Sequence, residues 1–256
     1  MRIQNSFIPV RGVGEKTERK LWKNGVTTWE EFEESGLRHV GETTAERVLN
    51  YIDEARDRLD QGDSSFFGDS FPSGEGWRLY PNFDDETCFL DIETTGLSKE
   101  DNRVTTVSFH VGDETQTLVR GEDLERSEIE RRLSEASLLV TFNGKRFDVP
   151  FLEHSFGLEV ETPHIDLMYP CRRLDPPLSG GLKKVEDELG VERPGSEEVD
   201  GADAVRLWHR YEDGDDEALE KLVRYNRYDT RNLRYVLDEV HSRLSREVFE
   251  SHVSRV

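Results

Sequence analysis

The sequence has 256 residues, of which 34% are hydrophobic and 35% are charged, and its formal net charge is −21. No apolar run approaches the ~20 residues that span a bilayer, and two cysteines are too few for a disulfide framework. These features exclude a membrane-embedded protein and a disulfide-stabilised one. Residues 1–13 lack an apolar signal core, so a cytoplasmic protein is expected.

Residues 1–60 predict a small all-α module with three helices. The turns Gly12-Val13-Gly14 and Gly41 resemble those of helix-hairpin-helix modules, and this resemblance implies helices over Glu15–Lys23, over Trp29–Ser35 and over a segment that ends at Leu59. Thr28 directly precedes the second of these helices and is expected to cap it.

Glycine-containing turns precede the first and third of these helices. The turns are Gly12-Val13-Gly14 and the one at Gly41, and they resemble those of helix-hairpin-helix DNA-binding modules. The resemblance implies that backbone N–H groups at Gly12, Gly14 and Gly41, with Lys16, bind phosphates without reading sequence. A helical module that binds another protein is the alternative.

Residues 61–76 are rich in glycine and serine and predict a linker, so the expected domains are 1–60 and 77–256. The second domain shows three strand-like segments, followed by helices and at least one more strand. This order indicates an α/β fold, with a mixed sheet flanked by helices. Strands are predicted at Thr87–Ile92, Val104–Val111, Gln116–Val119 and Leu138–Phe142, and helices at Asp123–Ser134, Arg146–Phe156, Leu182–Leu189, Ala202–Tyr211 and Asp216–Leu244.

Acidic residues recur where buried elements are predicted. Asp91 and Glu93 alternate with apolar residues along a strand, so both carboxylates point to the same face. Two such carboxylates repel each other, and a bound divalent cation would compensate that repulsion. A strand end at which both acids simply face water is an equal alternative. Asp148 lies between apolar residues at the start of a predicted helix. Tyr225 and Asp229 interrupt an apolar stripe on the last helix, and a simple Tyr–Asp hydrogen bond is the alternative there.

Together these segments resemble the DEDD superfamily of 3′–5′ exonucleases, whose fold is ribonuclease H-like. The matching motifs are D-I-E at 91–93, F-N-G-K-R-F-D at 142–148 and Y-x-x-x-D at 225–229. The second motif is similar to the proofreading exonuclease of family-B DNA polymerases. Residues 181–190 extend the resemblance to the YprB-like group. Arg224 stands where the histidine subtype has its histidine, so the tyrosine subtype is implied.

The resemblance implies a metal-dependent exonuclease that hydrolyses single-stranded or frayed DNA. Its metal ligands, which would hold two Mg²⁺ or Mn²⁺ ions, are Asp91, Glu93, Asp148 and Asp229. Tyr225 would orient the attacking water, because a tyrosine is a poor base at neutral pH. Asn143 would contact the first strand. RNA is the second candidate substrate, and an inactive nucleic-acid-binding scaffold with the same fold is the competing class.

Several other polar residues have two interpretations. Lys183 and Lys184 begin a helix after two glycines and are candidate phosphate ligands. Asp166 is either a helix cap, which we favour, or an accessory acid beside the metals. Four arginines of the last helix lie off the Tyr225–Asp229 stripe and either contact phosphates or pair with surface acids. They are Arg224, Arg227, Arg231 and Arg234.

The acidic charge is unevenly distributed. Residues 1–60 carry 10 basic and 12 acidic groups, and the remaining 196 residues carry 24 and 43. A protein with this much negative charge repels nucleic acid unless its positive charge is locally concentrated. The composition, with only 8 lysines and 6 isoleucines, resembles that of proteins from salt-loving archaea. A strongly solvated surface is the simpler alternative.

Overall fold

The computed structural model describes residues 1–194 and 199–253 and divides into two compact units. The first unit comprises Met1–Asp84 and the residues from Val240 onward, and the second comprises Asp85–Glu239. Within the described ranges, no helix is both long enough and apolar enough to cross a bilayer.

The first unit is helical, as the sequence predicts. Thr28 caps its second helix through a capping box, in which Glu31 N–H donates to the threonine hydroxyl and the Glu31 carboxylate accepts from Thr28 N–H. The turn before the first helix contains Gly12 at φ +100°, a conformation that favours glycine. The helices are α1 (Glu15–Lys23), α2 (Trp29–Ser35), α3 (Glu42–Asp60), α4 (Ser64–Ser70) and α5 (Tyr80–Phe83).

A buried ion pair between Glu18 and Arg78 organises the core of this unit. Both side chains are completely buried, and Arg78 Nη1 lies 2.9 Å from Glu18 Oε2. Arg78 Nε donates to Glu75 at 2.7 Å, while Glu18 accepts from the backbone N–H groups of Phe7 and Ile8. Burial raises the pKa of Glu18 and the Arg78 guanidinium opposes that rise. The network therefore joins the N-terminal segment, α1 and residues 75–78.

The structure differs from the predicted domain division in two respects. Residues 61–76 contain the helix α4, because Asp63 caps it and Phe67 provides a fully buried apolar anchor. Trp77 and Arg78, which the sequence assigns to the second domain, belong to the first unit. The aromatic residues in this serine- and glycine-rich segment outweigh its linker-like composition.

The second unit contains a five-stranded mixed sheet in the order β3-β2-β1-β4-β5. Strand β2 pairs antiparallel with both β1 and β3, whereas β4 pairs parallel with both β1 and β5. The predicted α/β class and the flanking helices are confirmed. The strands are β1 (Thr87–Thr94), β2 (Val104–Val111), β3 (Glu114–Val119), β4 (Leu138–Thr141) and β5 (His164–Asp166). The helices are α6 (Arg126–Ser134), α7 (Asp148–Phe156), α8 (Met168–Arg173), α9 (Leu182–Leu189), α10 (Gly201–Glu212) and α11 (Asp216–Leu244), which continues into the first unit.

Side chains of β1 alternate between two environments. Leu90 and Ile92 are buried in an apolar cluster that includes Ile129 of α6 and Phe151 of α7. A second cluster joins α10 and α11 through Trp208 and Leu222, among others, and includes Tyr225. The residues between Leu90 and Ile92, and after Ile92, are acidic, so their carboxylates lie opposite the first cluster.

Arg78→Met should destabilise the first unit by about 3 kcal/mol, because it leaves the Glu18 carboxylate buried without its cation. Urea unfolding followed by tryptophan fluorescence measures this loss, since Trp22, Trp29 and Trp77 all lie in this unit. Arg56→Met, at a partly exposed pair with Glu33, is the control and should cost less than about 1 kcal/mol. Equal losses for the two variants would contradict the importance of burial.

Candidate metal centre

Three carboxylates of the second unit converge although they come from distant parts of the chain. Asp91 and Glu93 of β1 and Asp229 of α11 each offer a ligand oxygen, and these oxygens lie within 4.8 Å of one another. Glu93 is 9% and Asp229 is 7% exposed, while Asp91 is partly buried. The alternation along β1 places the first two carboxylates on one face, and α11 supplies the third.

Asn226 fixes the orientation of Asp91. Its Nδ2 donates to Asp91 Oδ2 at 2.6 Å, and its Oδ1 accepts from the Thr106 hydroxyl at 2.9 Å. Asn226 is fully buried and follows Tyr225 on α11, so the same helix supplies a carboxylate and holds another in place. We did not predict this residue, although a buried asparagine beside the Tyr–Asp stripe is a usable signal.

Asp148 lies beside the three-carboxylate group but not within it. It is the first residue of α7, two residues later than the predicted helix start, and its Oδ1 accepts from Ile92 N–H at 3.2 Å. The preceding turn contains Asn143 at φ +65°, and asparagine is one of the residues that tolerate this conformation. A Cβ on Gly144 would lie 2.2 Å from the Thr141 hydroxyl, so only glycine fits there.

Asp166 stabilises this turn. Its carboxylate accepts from the backbone N–H groups of Asn143 at 2.7 Å, Lys145 at 3.2 Å and Met168 at 3.1 Å. The N-cap of α8 is Leu167, so Asp166 does not occupy the cap position that we favoured for it, although its carboxylate accepts from the first N–H of that helix. Its other two hydrogen bonds hold the turn that leads to Asp148. Asn143 participates in this hydrogen bonding through its backbone only.

Tyr225 and Asp229 share a buried environment with a cation that we did not predict. The Tyr225 hydroxyl hydrogen-bonds Asp229, and Arg193 pairs with both Asp229 and Glu186. The Arg193 guanidinium also lies 5.6 Å from the centre of the Tyr225 ring. Arg193 comes from a segment without helical or strand periodicity, so no local pattern identifies it.

The carboxylates resist ionisation in the absence of a cation. Burial, and then repulsion from Asp229 and Asp148, raises the pKa of Asp91 and of Glu93 well above the usual range. Burial raises the pKa of Asp148 to about 7 and also raises that of Asp229, where Arg193 opposes the rise. The pKa of Tyr225 is raised by burial and by Asp229, so its hydroxyl remains a hydrogen-bond donor at neutral pH.

This donor set fits a hard divalent cation. Mg²⁺ and Mn²⁺ prefer oxygen ligands, and Asp91, Glu93 and Asp229 provide carboxylates whose mutual repulsion a cation would relieve. Asp148 lies near enough to Asp91 and Glu93 to repel them, so its charge is coupled to theirs. A simple hydrogen bond between Tyr225 and Asp229, the alternative for α11, does not account for Asp91 and Glu93 of β1.

The predicted nucleic-acid ligands lie outside this carboxylate group. Lys183 and Lys184 are exposed near the start of α9, where Gly181 is the N-cap, and Lys184 lies 3.8 Å from Glu188. In the first unit, Gly14 and Gly41 are the N-caps of α1 and α3. Gly12 and Lys16, the other predicted phosphate ligands of the first unit, are exposed.

The sheet order and the convergent carboxylates define an α/β protein with a candidate divalent-cation centre. A family model of the RNase_H superfamily matches residues 88–241. This match covers more than half of the 256 residues, and the chain therefore belongs to the RNase_H superfamily. No curated protein matches the sequence significantly.

Solved structures with a similar fold include nucleases. The family B DNA polymerase of Pyrobaculum calidifontis is 16% identical, with a TM-score of 0.50 over 60% of this chain and 24% of that one. A structure described as the apo form of a nuclease is 22% identical, with a TM-score of 0.48 over 65% and 77%. Brucella melitensis NrnC with bound Mg²⁺ is 19% identical, with a TM-score of 0.46 over 68% and 81%. At these identities, the similarity to the polymerase supports the fold alone.

Metal-induced stabilisation should depend on pH. Between about pH 4 and pH 7 the unfolded chain ionises Asp148 whereas the metal-free fold keeps it protonated, so metal-free stability falls as the pH rises. A bound cation favours the ionised carboxylates. Mn²⁺ should therefore raise the Tm by at least about 5 °C more near pH 8 than near pH 5.

Thermal unfolding at both pH values, with Mn²⁺ and with chelator, measures this difference. Asp148→Asn should reduce it because that side chain no longer titrates, and Asp113→Asn, at an exposed turn, should not. The same Tm increase at both pH values would show that the acids do not bind the cation.

Proposed function

We propose that this protein is a metal-dependent 3′–5′ exonuclease of the tyrosine subtype that hydrolyses phosphodiester bonds in single-stranded or frayed DNA. The observation that carries the proposal is the convergence of Asp91, Glu93 and Asp229, with Asp148 beside them. Membership of the RNase_H superfamily and the D-I-E, N-G-K-R-F-D and Y-x-x-x-D motifs support it. RNA is the alternative substrate.

The proposed roles follow from the donor atoms and their surroundings. Asp91, Glu93, Asp148 and Asp229 would hold two Mg²⁺ or Mn²⁺ ions, which when bound supply Lewis acidity and an activated water. Asn226 keeps the Asp91 carboxylate in one orientation through its 2.6 Å hydrogen bond. Arg193 pairs with Asp229 and opposes the rise in its pKa that burial causes.

Tyr225 would orient the attacking water through its hydroxyl. Because its pKa is raised, the tyrosine donates a hydrogen bond and does not remove a proton at neutral pH. Asn143, Lys183 and Lys184 would contact the bound strand. For Asn143 this role belongs to its side chain, since its backbone N–H is already donated to Asp166.

Asp91→Asn should lower nuclease activity at least about 100-fold, because it removes a carboxylate from the proposed metal ligands. Oligonucleotides labelled at the 3′ or the 5′ end, with Mn²⁺ and with chelator, measure both activity and direction. The wild-type protein should release the 3′ label first. Asp113→Asn removes an exposed acid from the same unit and is the matched control.

The outcomes separate the parts of the proposal. Faster hydrolysis of an RNA oligonucleotide would overturn DNA as the substrate but not the reaction. First release of the 5′ label would overturn the direction. No hydrolysis by the wild-type protein, in dilute buffer or in molar KCl, would favour the inactive scaffold. The molar salt is included because the acidic composition supports a high-salt protein.

We also propose that residues 1–60 of the first unit bind DNA as a helix-hairpin-helix module. The positive φ of Gly12 and the glycine N-caps of α1 and α3 support this role, since backbone N–H groups are accessible there. Deleting residues 1–60 would not test it, because Arg78 of the same unit would lose Glu18.

Arg11→Gln combined with Lys16→Gln should weaken binding of single-stranded DNA about fivefold, because it removes two exposed cations beside Gly12 and Gly14. Fluorescence anisotropy measures the affinity. Arg56→Gln with Arg58→Gln, two arginines already paired with acids, should have little effect. Unchanged affinity of the first variant would indicate that the module serves another partner.

A further inference from the structure

The long helix α11 carries a concentration of positive charge that contrasts with the rest of the chain. From Lys221 to Leu237 it contains five basic residues and one acid, Asp229, whereas the whole sequence contains 34 basic and 55 acidic residues. Asp229 is buried in the candidate metal centre. The exposed surface of this segment is therefore basic.

Cationic and aromatic side chains form one stripe along this surface, spaced alternately by three and four residues. That spacing places them on one side of a helix. We name this set the α11 stripe: Lys221, Arg224, Tyr228, Arg231 and Tyr235. Its three cations are exposed, Tyr235 is 51% exposed and Tyr228 is partly buried.

The cations of the α11 stripe are not neutralised by neighbouring acids. Within residues 1–194 and 199–253, Lys221, Arg224 and Arg231 make neither an ion pair nor a side-chain hydrogen bond. Arg231 lies over the Tyr228 ring at 5.9 Å. In contrast, three other exposed arginines of this unit each pair with an acid: Arg126 with Glu130, Arg206 with Asp203 and Arg210 with Asp215.

The α11 stripe lies next to the face of its own helix that carries Tyr225 and Asp229. At 100° per residue, it is about a quarter-turn from the line through Tyr225 and Asp229. On the opposite side of that line, Asn226, Thr230 and Leu233 are buried, so the stripe is the exposed flank. The stripe extends about 21 Å along the helix axis.

We propose that the α11 stripe binds the part of a single-stranded nucleic acid that extends away from the cleavage site, with its cations on phosphates and its tyrosines against bases. Cations interspersed with aromatic rings provide partners for both the phosphates and the bases of a strand. This inference rests on the proposed nuclease function and adds a binding surface to it. It also predicts that the stripe acts on long substrates only.

Lys221→Gln, Arg224→Gln and Arg231→Gln together should raise the KM for a thymidine decanucleotide about tenfold. The kcat and KM for a thymidine dinucleotide should stay within about twofold, because a dinucleotide does not reach the stripe. The control variant Arg126→Gln, Arg206→Gln and Arg210→Gln removes the same charge at paired positions. It should leave both substrates unaffected at the same KCl concentration.

Equal changes of KM for the two substrates, or no change for either, would overturn the inference. If the wild-type protein hydrolyses neither substrate, the nuclease proposal fails and binding decides the inference separately. Fluorescence anisotropy of a labelled decanucleotide in chelator should then show about tenfold weaker binding by the stripe variant than by the control variant. Equal affinity of the two variants would overturn it.

Discussion

Repulsion among buried carboxylates is the constraint on which the second unit depends. Asp91, Glu93 and Asp229 bring their oxygens within 4.8 Å. Burial together with this repulsion raises the pKa of Asp91 and of Glu93, and burial raises the pKa of Asp229. A fold keeps such a group only if other interactions hold the acids in place. Asn226 restrains Asp91, Arg193 pairs with Asp229, and β1 fixes Glu93 within a sheet.

The supporting shell also explains why the turn before α7 has its particular residues. Asp148 reaches Ile92 only because the chain reverses tightly after β4. Asn143 adopts a positive φ, Gly144 packs against Thr141, and Asp166 accepts three backbone N–H groups around the turn. The motif between Phe142 and Asp148 therefore reflects backbone geometry as much as chemistry. An acid at the end of a flexible loop would not be held in the same position.

The sequence predicts those features that depend on local periodicity. The alternation of β1 indicates that Asp91 and Glu93 share a face, and the stripe on α11 places Tyr225 and Asp229 inward, because each pattern is set within a few residues. The pairs between Arg193 and Asp229 and between Glu18 and Arg78 join residues 36 and 60 positions apart. No spacing rule indicates which two buried charges form a pair. The pair between Glu18 and Arg78 joins residues of the first unit, to which Trp77 and Arg78 therefore belong.

The uneven distribution of charge resolves the apparent conflict between a net charge of −21 and the proposed nucleic-acid substrate. Acids elsewhere in the second unit neutralise their arginine neighbours, as Asp203 does for Arg206. On α11 between Lys221 and Leu237, the one acid faces inward, and among the described residues Lys221, Arg224 and Arg231 form no ion pair with an acid. Repulsion by distant acids is screened beyond about 10 Å in ordinary salt and beyond about 3 Å in molar salt. A phosphate in contact with Arg224 would therefore respond mainly to that arginine, whereas the total charge governs only the approach from a distance.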